Sequence, residues 1–250
     1  MTPRATCILA PNPGPMTLDG TNTWVLREPD ARRCVVVDPG PDDPGHLRQV
    51  AAAAGPVGVV LLTHGHADHA GGARRFAELV RAPVRALDRA HRLGAEGLSE
   101  GDVVAVDGLE IRVLATPGHS GDSLSFHLPA DAAVLTGDTV LGRGTTVVAH
   151  PDGRLAEYLA SLRRLRALAT AAQATTLLPG HGPVVADPAG LLDDYLAHRG
   201  ERLGQVRAAL AAGARTAREV VERVYADVDP ALWPAAEMSV RAQLDYLRQP

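Results

Sequence analysis

Three histidines and one aspartate fall within six residues, at His64, His66, Asp68 and His69. Imidazole nitrogens and carboxylate oxygens are ligands for zinc, manganese and iron, so this density points to bound divalent cations. Neighbours on a helix surface recur every three or four residues, which this spacing does not fit. It predicts instead a thin loop, eased by Gly65 and Ala67, whose four side chains converge on or straddle a pair of cations. Four ligands do not complete two such sites. His119 after Thr116-Pro117-Gly118, Asp138 after Thr136-Gly137 and His181 after Leu178-Pro179-Gly180 supply the rest, each behind a turn signal that pushes a side chain off a sheet edge. The expected chemistry is hydrolysis by a metal-activated hydroxide. Two cations roughly 3.5 to 4 Å apart bring the pKa of a shared water toward neutrality and polarise the electrophile.

Short apolar runs stand before these polar residues: Cys34 to Val37, Val57 to Leu62, Ile111 to Leu114, Ala132 to Leu135 and Thr175 to Leu178. They read as buried strands delivering ligands to one edge of a sheet. Leu155, Tyr158, Leu159, Leu162 and Leu165 draw one apolar stripe at helical spacing between two of those strands, and strands interleaved with helices indicate an α/β architecture. From about Asp187 strand signals stop. Three helices are predicted there: Pro188 to Ala212 with a weak point at Gly200, Thr216 to Tyr225 behind a capping box with Glu219, and Ala231 to Leu247 behind Asp229-Pro230. The chain is thus divided into a catalytic domain, 1–186, and a helical appendage, 187–250.

Composition narrows the function. The 250 residues suffice for a real core, and two cysteines, Cys7 and Cys34, exclude a disulfide framework and suit a reducing cytoplasm. Neither a membrane-spanning run nor a charged-then-apolar leader is present at Met1 to Gly20, so a cytoplasmic protein is expected and a secreted antibiotic-degrading role disfavoured. The net charge of -4 provides no global pull on nucleic acid; a polyanionic substrate has to be met by a local basic groove and by the metals.

The H-x-H-x-D-H loop, His119, the Gly137-Asp138 pair and the Gly180-His181 pair, in order, resemble the five-motif signature of the metallo-β-lactamase superfamily over residues 38 to 181. That resemblance implies the family's four-layer αβ/βα sandwich. It further implies that His64, His66 and His119 hold one metal, that Asp68, His69 and His181 hold the second, and that Asp138 bridges them. Asp38 then matches the family's first motif, orienting the metal loop rather than binding metal. Asp68 would also orient the attacking hydroxide, and zinc is the expected metal, with manganese or iron compatible with the same ligands.

Thr17 to Trp24, Gly137 to Thr146 and the tail from Tyr195 onward resemble the beta-lactamase-like protein 2 branch, which includes single-stranded-RNA endoribonucleases and whose relatives act as thioesterases on carrier-bound acyl chains. This implies an RNA phosphodiester as substrate, with an acyl thioester as the alternative. An iron-dependent oxidoreductase is a poorer reading, because the diiron enzymes of the fold usually carry Glu where His66 stands. The branch's tail is a winged-helix-like module. Here residues 187–250 carry eight Arg against ten Asp plus Glu and no hairpin signal, which disfavours DNA binding and points to a lid or a homodimer contact. Asn22 and Arg143 are the candidate substrate-binding residues. Of the remaining histidines, His46, His91, His127 and His198 read as solvent or packing residues, and His150 as a group on the pocket rim.

Overall fold

The computed structural model describes residues 2–248. Ten short strands form two five-stranded sheets. The first runs in spatial order β1 (Ala5–Leu9), β2 (Asn22–Leu26), β3 (Cys34–Val37), β4 (Val57–Leu61) and β5 (Val84–Arg85), antiparallel across β1 to β3 and parallel from β3 to β5. The second runs β6 (Val103–Val106), β7 (Leu109–Ala115), β8 (Leu124–Leu128), β9 (Ala133–Gly137) and β10 (Thr176–Pro179), with only the β9–β10 pair parallel.

Alternation along the strands sorts the side chains into layers. Trp24, Val35, Val37 and Leu61 of the first sheet pack against Ile111, Val113, Phe126 and Leu135 of the second. Each such side chain, fully withdrawn from water, contributes about 1.5–3 kcal/mol. The outward faces, Val36 and Val60 on one sheet and Val134 and Leu177 on the other, are covered by helices. Helices α1 (Pro44–Ala54), α2 (Ala67–Ala70) and α3 (Ala73–Val80) accompany the first sheet, and α4 (Leu155–Thr170) and α5 (Pro188–Ala211) the second. This is the expected αβ/βα sandwich. The buried face of α4 carries the five residues of the predicted stripe.

The appendage comprises the end of α5, then α6 (Ala217–Val224) and α7 (Trp233–Arg248), joined around Val206, Val220, Val221 and Val240. Three details differ from expectation. Gly200 does not break α5, which runs continuously through it. Glu219 answers the Thr216 cap by accepting from Arg215 N at 2.8 Å, one residue before the cap itself. The third helix starts as a 3-10 turn, Pro230–Leu232, capped by Asp229, before α7 proper. Helix α5 belongs to both halves: Leu192 and Tyr195 sit in the core over β10, whereas Val206 and Ala209 sit in the appendage core. Among the described residues no strand follows β10. No helix among them is long and apolar enough to cross a membrane.

Candidate metal centre

Strands β3 and β4 run parallel and end together, which places Asp38 next to Thr63. Asp38 has a left-handed backbone (φ 50°), tolerated by Asp, that turns its carboxylate toward the end of β4. One oxygen accepts from Thr63 N at 2.8 Å; the other accepts from Thr63 Oγ1 at 2.6 Å and from His69 Nδ1 at 2.9 Å. The loop is therefore anchored at its start and at its last histidine by one buried carboxylate.

The segment from His64 to His69 is not loop throughout. His66 lies on extended backbone and caps α2, a single turn that carries Asp68 and His69. His69 N and Ala70 N both donate to His66 O, at 3.0 and 2.8 Å. This corrects the all-loop expectation. Before that turn His64 and His66 bring ring nitrogens within 3.0 Å of each other, and the turn carries Asp68 and His69 to a second point, where Asp68 Oδ2 lies 3.3 Å from His69 Nε2.

Each remaining histidine is tied by its Nδ1 to a carbonyl. His119 Nδ1 donates to Val147 O at 2.8 Å, and His181 Nδ1 to Gly20 O at 3.0 Å. Protonation at Nδ1 leaves Nε2 with a free lone pair, as it does in His69. Those nitrogens converge. His66 Nδ1 lies 3.0 Å from His64 Nε2 and 3.1 Å from His119 Nε2, and His69 Nε2 lies 3.2 Å from His181 Nε2. Asp68 Oδ2 is 3.1 Å from His181 Nε2 and 3.3 Å from His69 Nε2. Asp138 stands between the two groups: Oδ1 is 3.3 Å from His69 Nε2 and 3.4 Å from His181 Nε2, and Oδ2 is 3.7 Å from His119 Nε2.

The donor set fits divalent cations. His64, His66 and His119 form one group able to hold an ion, Asp68, His69 and His181 a second, and His64, His69 and Asp138 a third that joins them. A tetrahedral ion bonded to nitrogen at about 2.0–2.1 Å sets neighbouring donors about 3.3 Å apart, close to the spacings found. Asp138 Oδ1 is buried and makes no hydrogen bond of good geometry; its near neighbours are His69 Nε2 and His181 Nε2, at 3.3 and 3.4 Å, and a cation among these three atoms would satisfy all of them. Gly180 makes room: a Cβ there would lie 2.6 Å from both Asp138 Oδ1 and His69 Cε1.

Electrostatics divide the two groups. Burial, with the neighbouring imidazoles, pushes His64 well below its ordinary pKa, and burial likewise lowers His119. Burial also opposes charge on His69 and His181, but carboxylates outweigh it. Asp138 and Asp38 hold His69 well above the imidazole range, and Asp138 and Asp68 raise His181 to about 9. Asp68 and Asp138 are held below the carboxylate range despite burial, chiefly by His181 and His69.

The two candidate substrate residues sit close by but are engaged. Asn22 is buried and donates both amide hydrogens, to Pro179 O at 3.0 Å and Gly182 O at 2.9 Å, bracing the turn that presents His181. Arg143 follows Gly142, whose N–H donates to His181 O, but its exposed guanidinium pairs with Asp19 at 2.9 Å. Sequence reasoning missed Thr21, whose hydroxyl reaches Asp68 Oδ2 at 3.3 Å, and Thr146, whose hydroxyl lies 3.1 Å from His119 Nδ1. It also missed Arg199 of α5, buried and donating to Thr146 O. Tyr195 to Arg199 stood out in the sequence, but nothing local tied Arg199 to position 146.

The chain belongs to the metallo-beta-lactamase superfamily, whose pattern matches residues 16–181, and the pattern of the beta-lactamase associated winged helix domain matches residues 216–249. It is 33% identical to a beta-lactamase-like protein 2 homolog of Caenorhabditis elegans, over 97% of this chain and 83% of the relative. It is 34% identical to an atrochrysone carboxyl ACP thioesterase of Aspergillus fumigatus, over 90% of this chain and 74% of that protein. Among solved structures, a metallo-beta-lactamase family protein from Thermus thermophilus superposes with a TM-score of 0.82 at 25% identity, covering 98% of this chain and 93% of its own. Members of this superfamily are generally hydrolases and bind divalent metals.

Proposed function

We propose that the protein is a two-metal hydrolase acting on the phosphodiester bonds of single-stranded RNA, with His64, His66, His119, Asp68, His69, His181 and Asp138 as its ligands. The single observation behind the hydrolytic part is Asp138, set between two groups of ligands with one buried oxygen that makes no hydrogen bond of good geometry. Two divalent cations bound there would lower the pKa of water and neutralise charge developing on the substrate.

The protein's own side chains do the remaining work. Asp38, Val147 O and Gly20 O fix the tautomers of His69, His119 and His181 so that each presents Nε2. Asp138 sets the spacing of the two groups. Asp68 Oδ2, which also accepts from Thr21 Oγ1 at 3.3 Å, is placed to orient an attacking water. Zinc suits an imidazole-rich set with carboxylates.

The choice of RNA rests on the branch resemblance and on the near full-length similarity to the beta-lactamase-like protein 2 homolog. The second reading, hydrolysis of an acyl thioester, is favoured by the 34% identity to a protein named as an acyl-carrier-protein thioesterase. Parallel assay of the metal-loaded protein on single-stranded RNA, an acyl thioester and a chromogenic lactam, with Asp138→Ala as blank, separates the readings. The expected result is RNA cleavage that the blank lacks. Turnover of the thioester alone would replace the RNA reading, and equal activity in the blank would remove the metal centre from the chemistry.

A further inference from the structure

The segment that braces His119 has a second end. Val147 O and Thr146 Oγ1 hold His119 Nδ1, Arg154 N donates to Gly118 O at 3.0 Å, and between them His150 Nε2 reaches Asp245 of α7 at 2.9 Å. Two cavities flank that His150–Asp245 contact and share both residues. One, of about 590 Å³, lies between the start of α4 and α7, and the other, of about 340 Å³, between α6 and α7. Together they make one cleft that starts at Arg154, bonded to the residue before His119, and runs out over the appendage.

The charge of this cleft is opposite to that of the appendage as a whole. Arg154, Arg215, Arg218, Arg241 and Arg248 line it, against Glu157, Glu237 and Asp245. Four of the eight arginines of residues 187–250 are thus gathered on one side of a segment whose net charge is negative. Arg215 makes no ion pair among the described residues; the carboxylates paired with Arg154, Arg218, Arg241 and Arg248 lie three or four positions along the chain and are part-exposed, so these pairs are weak, and Arg218 also lies over the Trp233 ring at 4.8 Å. Tyr246 adds a half-buried ring to the wall. Basic side chains beside an aromatic face are the two elements with which proteins track a single nucleic-acid strand.

We propose that this cleft is the track of a single-stranded RNA, its phosphates held by Arg215, Arg218, Arg241 and Arg248 and its chain led past His150 to the residues beside His119. The proposal rests on the RNA reading above and extends it. Walls on both sides suit a flexible strand better than the convex surface of a folded acidic carrier protein, which competes for the same charges. The appendage is then a substrate guide rather than a lid, and its overall acidity is no obstacle, because recognition is local.

The test is fluorescence anisotropy of the full chain, in EDTA to prevent cleavage, with a labelled single-stranded RNA of roughly twelve nucleotides, within the range one such site spans. Wild type, the double variant Arg215→Ala/Arg218→Ala and the distant control Arg33→Ala are titrated across a salt series. Removing one arginine that neutralises a phosphate should flatten the slope of log affinity against log salt by about 0.7. The double variant is therefore expected to bind more weakly, with a slope shallower by about 1.4, while the control matches wild type. A single-stranded DNA arm asks whether the sugar matters. Identical slopes in wild type and double variant, no binding of RNA by wild type, or binding of an acidic acyl-carrier protein in place of RNA would each overturn the proposal. Retained RNA binding with no RNA cleavage in the metal-loaded protein would leave the track standing and remove the hydrolytic reading; cleavage with unchanged slopes would do the reverse.

Discussion

Asp38 accepts the Nδ1 proton of His69 at 2.9 Å while the same carboxylate holds both the amide and the hydroxyl of Thr63, so one buried side chain sets the first and last ligands of the metal loop. Asp38→Ala removes this anchor. Loss of a partner behind a metal-bound histidine typically costs about 10–100-fold in affinity, and that loss of zinc affinity is the expected result by competition with a chromogenic chelator. Unchanged affinity would show that the loop holds its shape unaided.

Gly180 allows Asp138 and His69 to approach each other across the sheet edge. Gly180→Ala places a methyl group 2.6 Å from both, and backbone hydrogen bonds from Gly180 N to Gly137 O and from Asn22 N to Gly180 O resist relief by movement. The variant should fold but bind less than two ions per chain by elemental analysis. Activity should fall about 100-fold, the scale for misplacing a reacting group by about 1 Å.

Protons compete with metal unequally at the two groups. Ligands must be deprotonated to bind. His181, raised to about 9, and His69, held well above the imidazole range by Asp138 and Asp38, are charged at neutral pH in the metal-free protein, whereas His64 and His119 are already neutral. Affinity at the Asp68, His69 and His181 group should therefore climb as pH rises toward about 9, a rise to which His64 and His119, already neutral, add nothing at neutral pH. Linkage gives the companion sign: His181 stabilises the metal-free fold fully below about pH 6.5 and loses that contribution as pH rises through about 9. Calorimetric titration with zinc at several pH values should find proton release below about pH 9 in the event that fills the Asp68, His69 and His181 group.

Arg199 reaches from α5 to Thr146 O and lies 5.1 Å over the Tyr158 ring, buried behind the His119 support. Arg199→Met keeps much of the volume but leaves that carbonyl unpaired, at a cost of about 1–3 kcal/mol. Urea unfolding should show the loss, with zinc affinity reduced alongside it. Stability lost with no change in metal binding would separate α5 from the site.

The convergence of the candidate residues was legible because His64, His119, Asp138 and His181 each follow an apolar run and a turn of Gly, Pro or Thr, a local pattern that strand ends impose, and His66, Asp68 and His69 stand within five positions of the first of them. Five strands were not. β8 (Leu124–Leu128) is buried on both faces, yet Ser125 and His127 alternate with its apolar residues and interrupt the continuous apolar run that marked the other buried strands, and β5 has two residues. The Thr146–His119 and Arg199–Thr146 contacts span 27 and 53 positions, and no periodicity records them. The charge pattern of the appendage was hidden for a related reason: composition sums charge over 187–250, whereas folding of α6 and α7 sorts arginines onto one side.

The most direct measurement is an anomalous difference map from crystals grown with zinc. Two peaks are expected, about 3.5 to 4 Å apart, one among His64, His66 and His119, the other among Asp68, His69 and His181, with Asp138 touching both. A single peak, or zinc held elsewhere with Asp138 Oδ1 facing empty space, would contradict the two-metal centre.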